Sequence, residues 1–186
     1  ITFGFIGNFI NRKGIYETLT VFKKLDKKID AKIVCVGKIK KANFILNLFN
    51  LEKNFSKFIK DNEINLCKNI KILSMTFNLK KFYSEIDVIL FPGYMNAVGR
   101  PVIEASLLKK PSIIALKNYN KDTAVKNTCL VFKPGNLLSL EKKIMYLHNN
   151  KALVKKMGLK AFLNAKKNFD LKKNKIKFYK IFKDLD

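Results

Sequence analysis

Two short stretches of the chain gather residue types that bind phosphate. One is Asn8-Phe9-Ile10-Asn11-Arg12-Lys13-Gly14 and the other runs from Phe91-Pro92-Gly93 through Asn96, Gly99, Arg100, Pro101 and Val102 to Glu104-Ala105. Lysine is the default cation in this sequence, and the only two arginines, Arg12 and Arg100, fall one in each stretch. A guanidinium presents a planar fork that matches phosphate oxygens two at a time, which an ammonium cannot do. Arg100 also sits where a helix is expected to begin, and a cation there opposes the helix dipole. An anion between the two removes that conflict, and the free N–H groups of a helix start favour one. The second stretch therefore reads as a phosphate seat; the alternative is a solvated surface arginine.

The elements that must hold these loops follow from the apolar pattern. Ile86 to Phe91 is an apolar run broken only by Asp87 and ended by Pro-Gly, as a buried parallel strand would be. Pro101 suits the first position of the following helix, where its missing N–H costs nothing. Glu104 is expected in the first turn, with Val102, Ile103, Ala105, Leu107 and Leu108 on the buried side. Further strands are expected at Thr2 to Gly7, Ala31 to Gly37, Ile70 to Leu73, Pro111 to Leu116 and Cys129 to Phe132. Helices are expected at Ile15 to Leu25, within Lys40 to Asp61, and at Leu79 to Ser84, Leu137 to Asn149, Lys151 to Lys167 and Leu171 to Phe182. In the second of these Phe44, Leu48, Phe55 and Phe58 would form the face. In the fifth Leu153, Met157 and Phe162 would point inward.

Strands that alternate with helices imply an α/β, Rossmann-like, doubly wound parallel sheet of about six strands with helices on both faces. In such sheets ligands bind beyond the carboxyl ends of the strands. The loops after the first and fourth strands share that rim, so both reach one ligand.

Composition bounds the function. The chain has 186 residues and is 48% hydrophobic with 16 Phe, which makes it globular. No apolar run approaches a membrane span, and no secretion signal opens the sequence. The chain starts directly in a strand pattern without Met and reads as one part of a longer polypeptide. Cys35, Cys67 and Cys129 form no CxxC, which fits reduced thiols in a cytoplasmic protein. With His148 the sole histidine, a zinc site is not expected. The net charge of +24 points to polyanions, although the even spread of Lys among many Asn and Ile also fits an A/T-rich coding sequence. The first loop lacks GxGxxG and the Walker pattern. Aromatic-basic signatures for nucleic acid are absent, so nucleic acid is not the expected partner. Asp184-Leu185-Asp186 has DxD spacing but lies at the chain end, after a helix.

In their order and spacing these motifs resemble the C-terminal, donor-binding domain of the family 4 retaining glycosyltransferases of GT-B fold. The resemblance rests on Phe5-Ile6-Gly7-Asn8 through Lys13-Gly14. It rests further on Asn96, Gly99 and Glu104-Ala105, on Ser106 through Pro111-Ser112-Ile113-Ile114-Ala115, and on Leu130-Val131-Phe132-Lys133-Pro134-Gly135-Asn136. It implies one nucleotide-sugar domain over residues 1–186, with the acceptor-binding N-terminal lobe outside this chain. It also implies that Gly7 approaches the diphosphate of a UDP- or GDP-linked sugar and that Lys13 pairs with it. The backbone of Arg100 to Val102 would hold the distal phosphate, and Glu104 would accept the ribose hydroxyls. No metal or other cofactor is expected.

Two positions depart from the family pattern. Asn8 stands where arginine is usual, and Arg12 or Arg100 would have to replace that cation. Asn96 stands where glutamate is usual; it hydrogen-bonds sugar hydroxyls but supplies neither base nor charge. The implied acceptor is a glycan or lipid-linked molecule, and the implied place is the cytoplasm, peripheral on the inner face of the membrane. The basic final helix, with Lys172, Lys173, Lys175, Lys177 and Lys180, is either a solvated face or one laid against anionic lipid. The competing reading is a non-catalytic basic module binding nucleotide or nucleic acid.

Overall fold

The computed structural model describes residues 1–39, 54–75, 78–94, 99–115, 125–171 and 174–176. Six strands form one sheet: β1 (Thr2–Ile6), β2 (Lys32–Gly37), β3 (Ile70–Ser74), β4 (Val88–Phe91), β5 (Ser112–Ala115) and β6 (Cys129–Phe132). Every pairing is parallel and the order is β3-β2-β1-β4-β5-β6. The chain winds outward from β1 to one edge, then returns to β4 and winds to the other. The switch point between β1 and β4 is where a doubly wound sheet opens a crevice for ligand.

Among the described residues the helices are α1 (Ile15–Leu25), α2 (Phe55–Asp61), α3 (Leu79–Glu85), α4 (Arg100–Leu107), α5 (Leu137–Asn149) and α6 (Lys151–Asn168). Side chains alternate across a strand, so β1 and β2 feed two cores. Phe3, Phe5, Ile33 and Cys35 join Phe22 of α1 and Leu140 and Ile144 of α5 on one side. Val34, Val36 and Ile89 meet Phe82 and Ile86 on the other. Gly4 lets α3 close on the sheet, since a Cβ there would lie 2.5 Å from Ile86 Cδ1. Asp87, the one charge in its apolar run, is used at the strand start. Its carboxylate accepts the Thr2 N–H at 2.9 Å and its own N–H donates to the Thr2 carbonyl at 2.7 Å. Asn54, Asn78 and Asn136 each cap a helix by accepting the N–H three residues on, so part of the asparagine content has a structural use.

The expected helix face of Lys40 to Asp61 is present at Phe55, which is buried, while Phe44 and Leu48 lie outside the described residues. Most of the basic final helix and Asp184 to Asp186 also lie outside them. Around the central helix two expectations are corrected. Helix α4 begins at Arg100, which puts Pro101 in its second position and Glu104 beyond the first turn. Leu107 and Leu108 are exposed, because the helix ends at Leu107 and the backbone turns over at Lys109 with φ 60°. A helix this short has no further turn in which to bury them.

Candidate functional site

The loops after β1 and β4 are joined by their backbones. Gly7 leaves β1 at φ 153°, and its N–H donates to the Val36 carbonyl at 3.0 Å. Gly37 permits that approach: a Cβ on it would stand 2.0 Å from the Gly7 carbonyl oxygen. The chain then makes one 3₁₀ turn, Asn11–Lys13, and reverses at Gly14, whose φ of 73° is the left-handed region that glycine enters freely. Gly14 lies directly under the β4 loop, since its Cβ would be 2.5 Å from the Pro92 carbonyl oxygen. From the other side the Tyr94 N–H donates to the Arg12 carbonyl at 2.9 Å.

Side chains repeat this connection. The Tyr94 hydroxyl donates a short hydrogen bond to Glu17 Oε1 on the first turn of α1. Burial, followed by the bond to Glu17 and its charge, pushes the Tyr94 phenol well above its ordinary value, so it remains a donor. Glu17 Oε2 is buried and accepts nothing from the described residues. Neither Glu17 nor the Tyr94 bond was anticipated, because no local pattern connects residues that far apart.

On α4 the Glu104 carboxylate is held from two sides. The Tyr83 hydroxyl of α3 donates to Oε2 at 2.6 Å, and Arg100 Nε lies 3.5 Å from Oε1, one helical turn away. Glu104 keeps a third of its side chain exposed and Arg100 keeps 86%. A carboxylate accepts about four hydrogen bonds, so acceptor capacity remains on Glu104. The Arg100 contact is a surface ion pair, weakly held, and the guanidinium is free to turn to a stronger anion. Tyr83 is the fixed partner. Burial first, then the Glu104 bond and charge, raise its phenol far above the ordinary value, with Arg100 pulling the other way.

A pH consequence follows. Below about pH 10 the unfolded and folded phenols are both protonated, and the Tyr83 contribution to stability is intact. As pH rises past that value the unfolded phenol ionises first, and stability is lost until the folded one does as well. Urea unfolding should therefore show the parent chain losing stability more steeply above about pH 10 than Tyr83→Phe. Parallel slopes would mean that Tyr83 is not buried against Glu104.

The expected site residues divide as follows. Gly7, Asn8, Arg12 and Lys13 lie on the β1 loop, and Gly99, Arg100, Pro101, Val102 and Glu104 on the start of α4, with both segments at the carboxyl rim of adjacent strands. The Lys13 backbone packs on Gly93, 3.6 Å from a Cβ built there. Asn96 lies outside the described residues. The expected cradle of N–H groups from Arg100 to Val102 is corrected. Pro101 has none, and the Val102 N–H donates to the Gly99 carbonyl at 2.7 Å. Of that trio only the Arg100 N–H has no partner among the described residues. The concave space of about 380 Å³ beside Asp26 and Asn69 is at the amino ends of β2 and β3, whereas that of about 410 Å³ beside Ile39 and Phe55 borders the β1 loop, where Phe55 stacks on Phe9 at 4.7 Å. Among the described residues no three His, Cys, Asp or Glu gather as metal ligands would.

A helix-held carboxylate on α4 and a β1 loop that carries Arg12 and Lys13 thus stand at the carboxyl rim of adjacent strands. A family model described as "Glycosyl transferases group 1" matches residues 1–164. The capsular polysaccharide biosynthesis glycosyltransferase CapM of Staphylococcus aureus is 24% identical over 157 residues, covering 83% of this chain and 38% of CapM. Sucrose-phosphate synthase of Thermosynechococcus elongatus superposes with a TM-score of 0.82 at 18% identity, over 99% of this chain and 45% of that one. HepE of Anabaena, solved in complex with UDP, also reaches a TM-score of 0.82 at 14% identity, over 98% of this chain and 48% of HepE. The chain thus spans less than half the length of these relatives.

Proposed function

Because the chain belongs to the glycosyl transferases group 1 family, we propose that residues 1–186 form the donor-binding lobe of a retaining, metal-independent glycosyltransferase of family 4. The donor is a UDP- or GDP-linked sugar. An N-terminal lobe beyond this chain binds the acceptor, a glycan or a lipid-linked molecule, at the cytoplasmic face of the membrane. The observation that carries this reading is the joined pair of loops at the β1–β4 switch point, with the Glu104 carboxylate locked by Tyr83 one helical turn behind them. The solved complex of HepE with UDP supports the choice of nucleotide class.

In this reading Glu104 accepts the ribose hydroxyls, and Gly7 gives the diphosphate room beside the backbone. Lys13, with Arg12 and Arg100 replacing the cation missing at Asn8, faces the diphosphate. Breaking the bond from the anomeric carbon to phosphate builds negative charge on the departing diphosphate, and preset cations stabilise it. One such donor lowers the barrier by ~3 kcal/mol. Phosphate leaves without a protein acid, so the chemistry needs no histidine. Asn96 is assigned to the donor sugar as a neutral hydrogen-bonding group.

Calorimetry with UDP, GDP and UDP-glucose tests the reading. The chain should bind at least one of them and transfer sugar weakly or not at all, since the acceptor lobe is missing. Robust transfer by these 186 residues would overturn the two-lobe assignment. Salt-sensitive binding of RNA or DNA, with no nucleotide binding, would favour the basic-module reading that the net charge of +24 allows.

A further inference from the structure

Helix α6 has a second apolar face. Its inner side, Val154, Met157, Gly158, Ala161 and Ala165, is buried. On the opposite side Ala152, Leu159 and Leu163 recur at helical spacing, and Leu159 and Leu163 are 50% and 58% exposed. Lysines border this ridge on both flanks: Lys155 and Lys166 on one, Lys156, Lys160 and Lys167 on the other, all exposed. The helix has 18 residues and no Asp or Glu.

The second flank continues into a groove of about 270 Å³, floored by Cys129, Leu130, Leu153 and Met157, with the half-exposed Tyr146 at its side. Lys156 and Lys160 belong to both features, so ridge and groove share one lysine border. On the first flank Lys109 and Lys166 lie 5.5 and 5.9 Å from the Phe162 ring, which keeps those ammonium groups at the surface. No described helix is long and apolar enough to cross a membrane.

We propose that the outward face of α6 docks on an anionic lipid surface, with Leu159 and Leu163 entering the acyl boundary and the flanking lysines meeting lipid phosphates. This deepens the placement at the membrane given above and is independent of the nucleotide site. Charge complementarity selects an anionic partner. The aliphatic ridge selects lipid over nucleic acid: leucines laid on a sugar-phosphate backbone gain no apolar contact, whereas an interfacial helix needs such a ridge between its cations. The basic face anticipated from the sequence is the helix after this one, most of which lies outside the described residues.

Co-sedimentation of the full chain with vesicles tests this. Vesicles of equal parts phosphatidylglycerol and phosphatidylcholine should carry the protein down, and pure phosphatidylcholine vesicles should not. The double variant Leu159→Ser, Leu163→Ser should weaken sedimentation about tenfold with its charge unchanged. Lys156→Gln, Lys160→Gln, Lys167→Gln should remove the preference for phosphatidylglycerol. Circular dichroism melts establish that each variant is folded, and nucleotide calorimetry is read separately, so failure at one surface is distinguishable from failure at the other. Three results would overturn the proposal: no sedimentation, equal sedimentation with both vesicles, or sedimentation that ignores the leucines. Duplex RNA binding that survives the leucine changes while vesicle binding is absent would assign the face to nucleic acid instead.

Discussion

Replacing Glu104 by alanine should abolish binding of the nucleoside diphosphate while the chain still folds. A carboxylate that accepts from neutral hydroxyls contributes ~1.5–3 kcal/mol per bond. Losing two ribose contacts should then weaken UDP or GDP by roughly a hundredfold or more. The carboxylate is one-third exposed, so truncation leaves no cavity in the core. Its removal does strand the Tyr83 hydroxyl, whose remaining acceptor is the Pro101 carbonyl at 3.5 Å. An orphaned buried hydroxyl costs ~1–3 kcal/mol. The pair Glu104→Ala and Tyr83→Phe should therefore recover stability relative to Glu104→Ala alone, without recovering affinity. Thermal melts and calorimetry on the four members of this cycle separate the two roles. Full-strength nucleotide binding by Glu104→Ala would remove the carboxylate from the site and with it the donor-lobe reading.

Gly14→Ala should pull the two loops of the site apart. Two penalties coincide there. The φ of 73° is costly for any L side chain, by ~1–2 kcal/mol. The new Cβ would also fall 2.5 Å from the Pro92 carbonyl oxygen and 2.8 Å from its carbon, which are backbone atoms and cannot swing away. The β1 and β4 loops must separate, taking the Lys13 backbone off Gly93. The expected result is a fall in Tm of roughly 5–10 °C together with loss of nucleotide binding. Gly93→Ala is the control. Its Cβ would lie 3.2 Å from the Arg12 carbonyl oxygen at an ordinary φ, so a small adjustment relieves it. If the two substitutions behave alike, the contact between the loops does not hold the site together.

The frame of this site is readable from the sequence because it is written in local patterns. Helix α1 and helix α5 run over Ile15–Leu25 and Leu137–Asn149 as their apolar spacing requires, and β6 over Cys129–Phe132 as its short apolar run requires. Alternation of strand and helix implies the parallel sheet, and the loops after β1 and β4 fall on one rim by topology alone. The interior of the site is less readable. Nothing in the neighbourhood of Glu104 announces Tyr83, and nothing near Tyr94 announces Glu17, because side-chain partners on different elements depend on how those elements pack rather than on spacing. The end of α4 was also hidden. Leu107 and Leu108 continue an apolar pattern, but the reversal at Lys109 leaves them in water. Asparagine carried a signal that its abundance disguised, since three of these residues serve as helix caps.

The bonded pair of loops has a consequence for redesigning donor choice. Transplanting the β4 segment alone from a relative would place a foreign backbone over Gly14 and ask it to present an N–H to Arg12 in the same register. Grafts of either segment by itself should therefore misfold locally whatever side chains they bring. The transferable cassette is the two segments together, with Glu17 and Tyr94 carried along as its clasp.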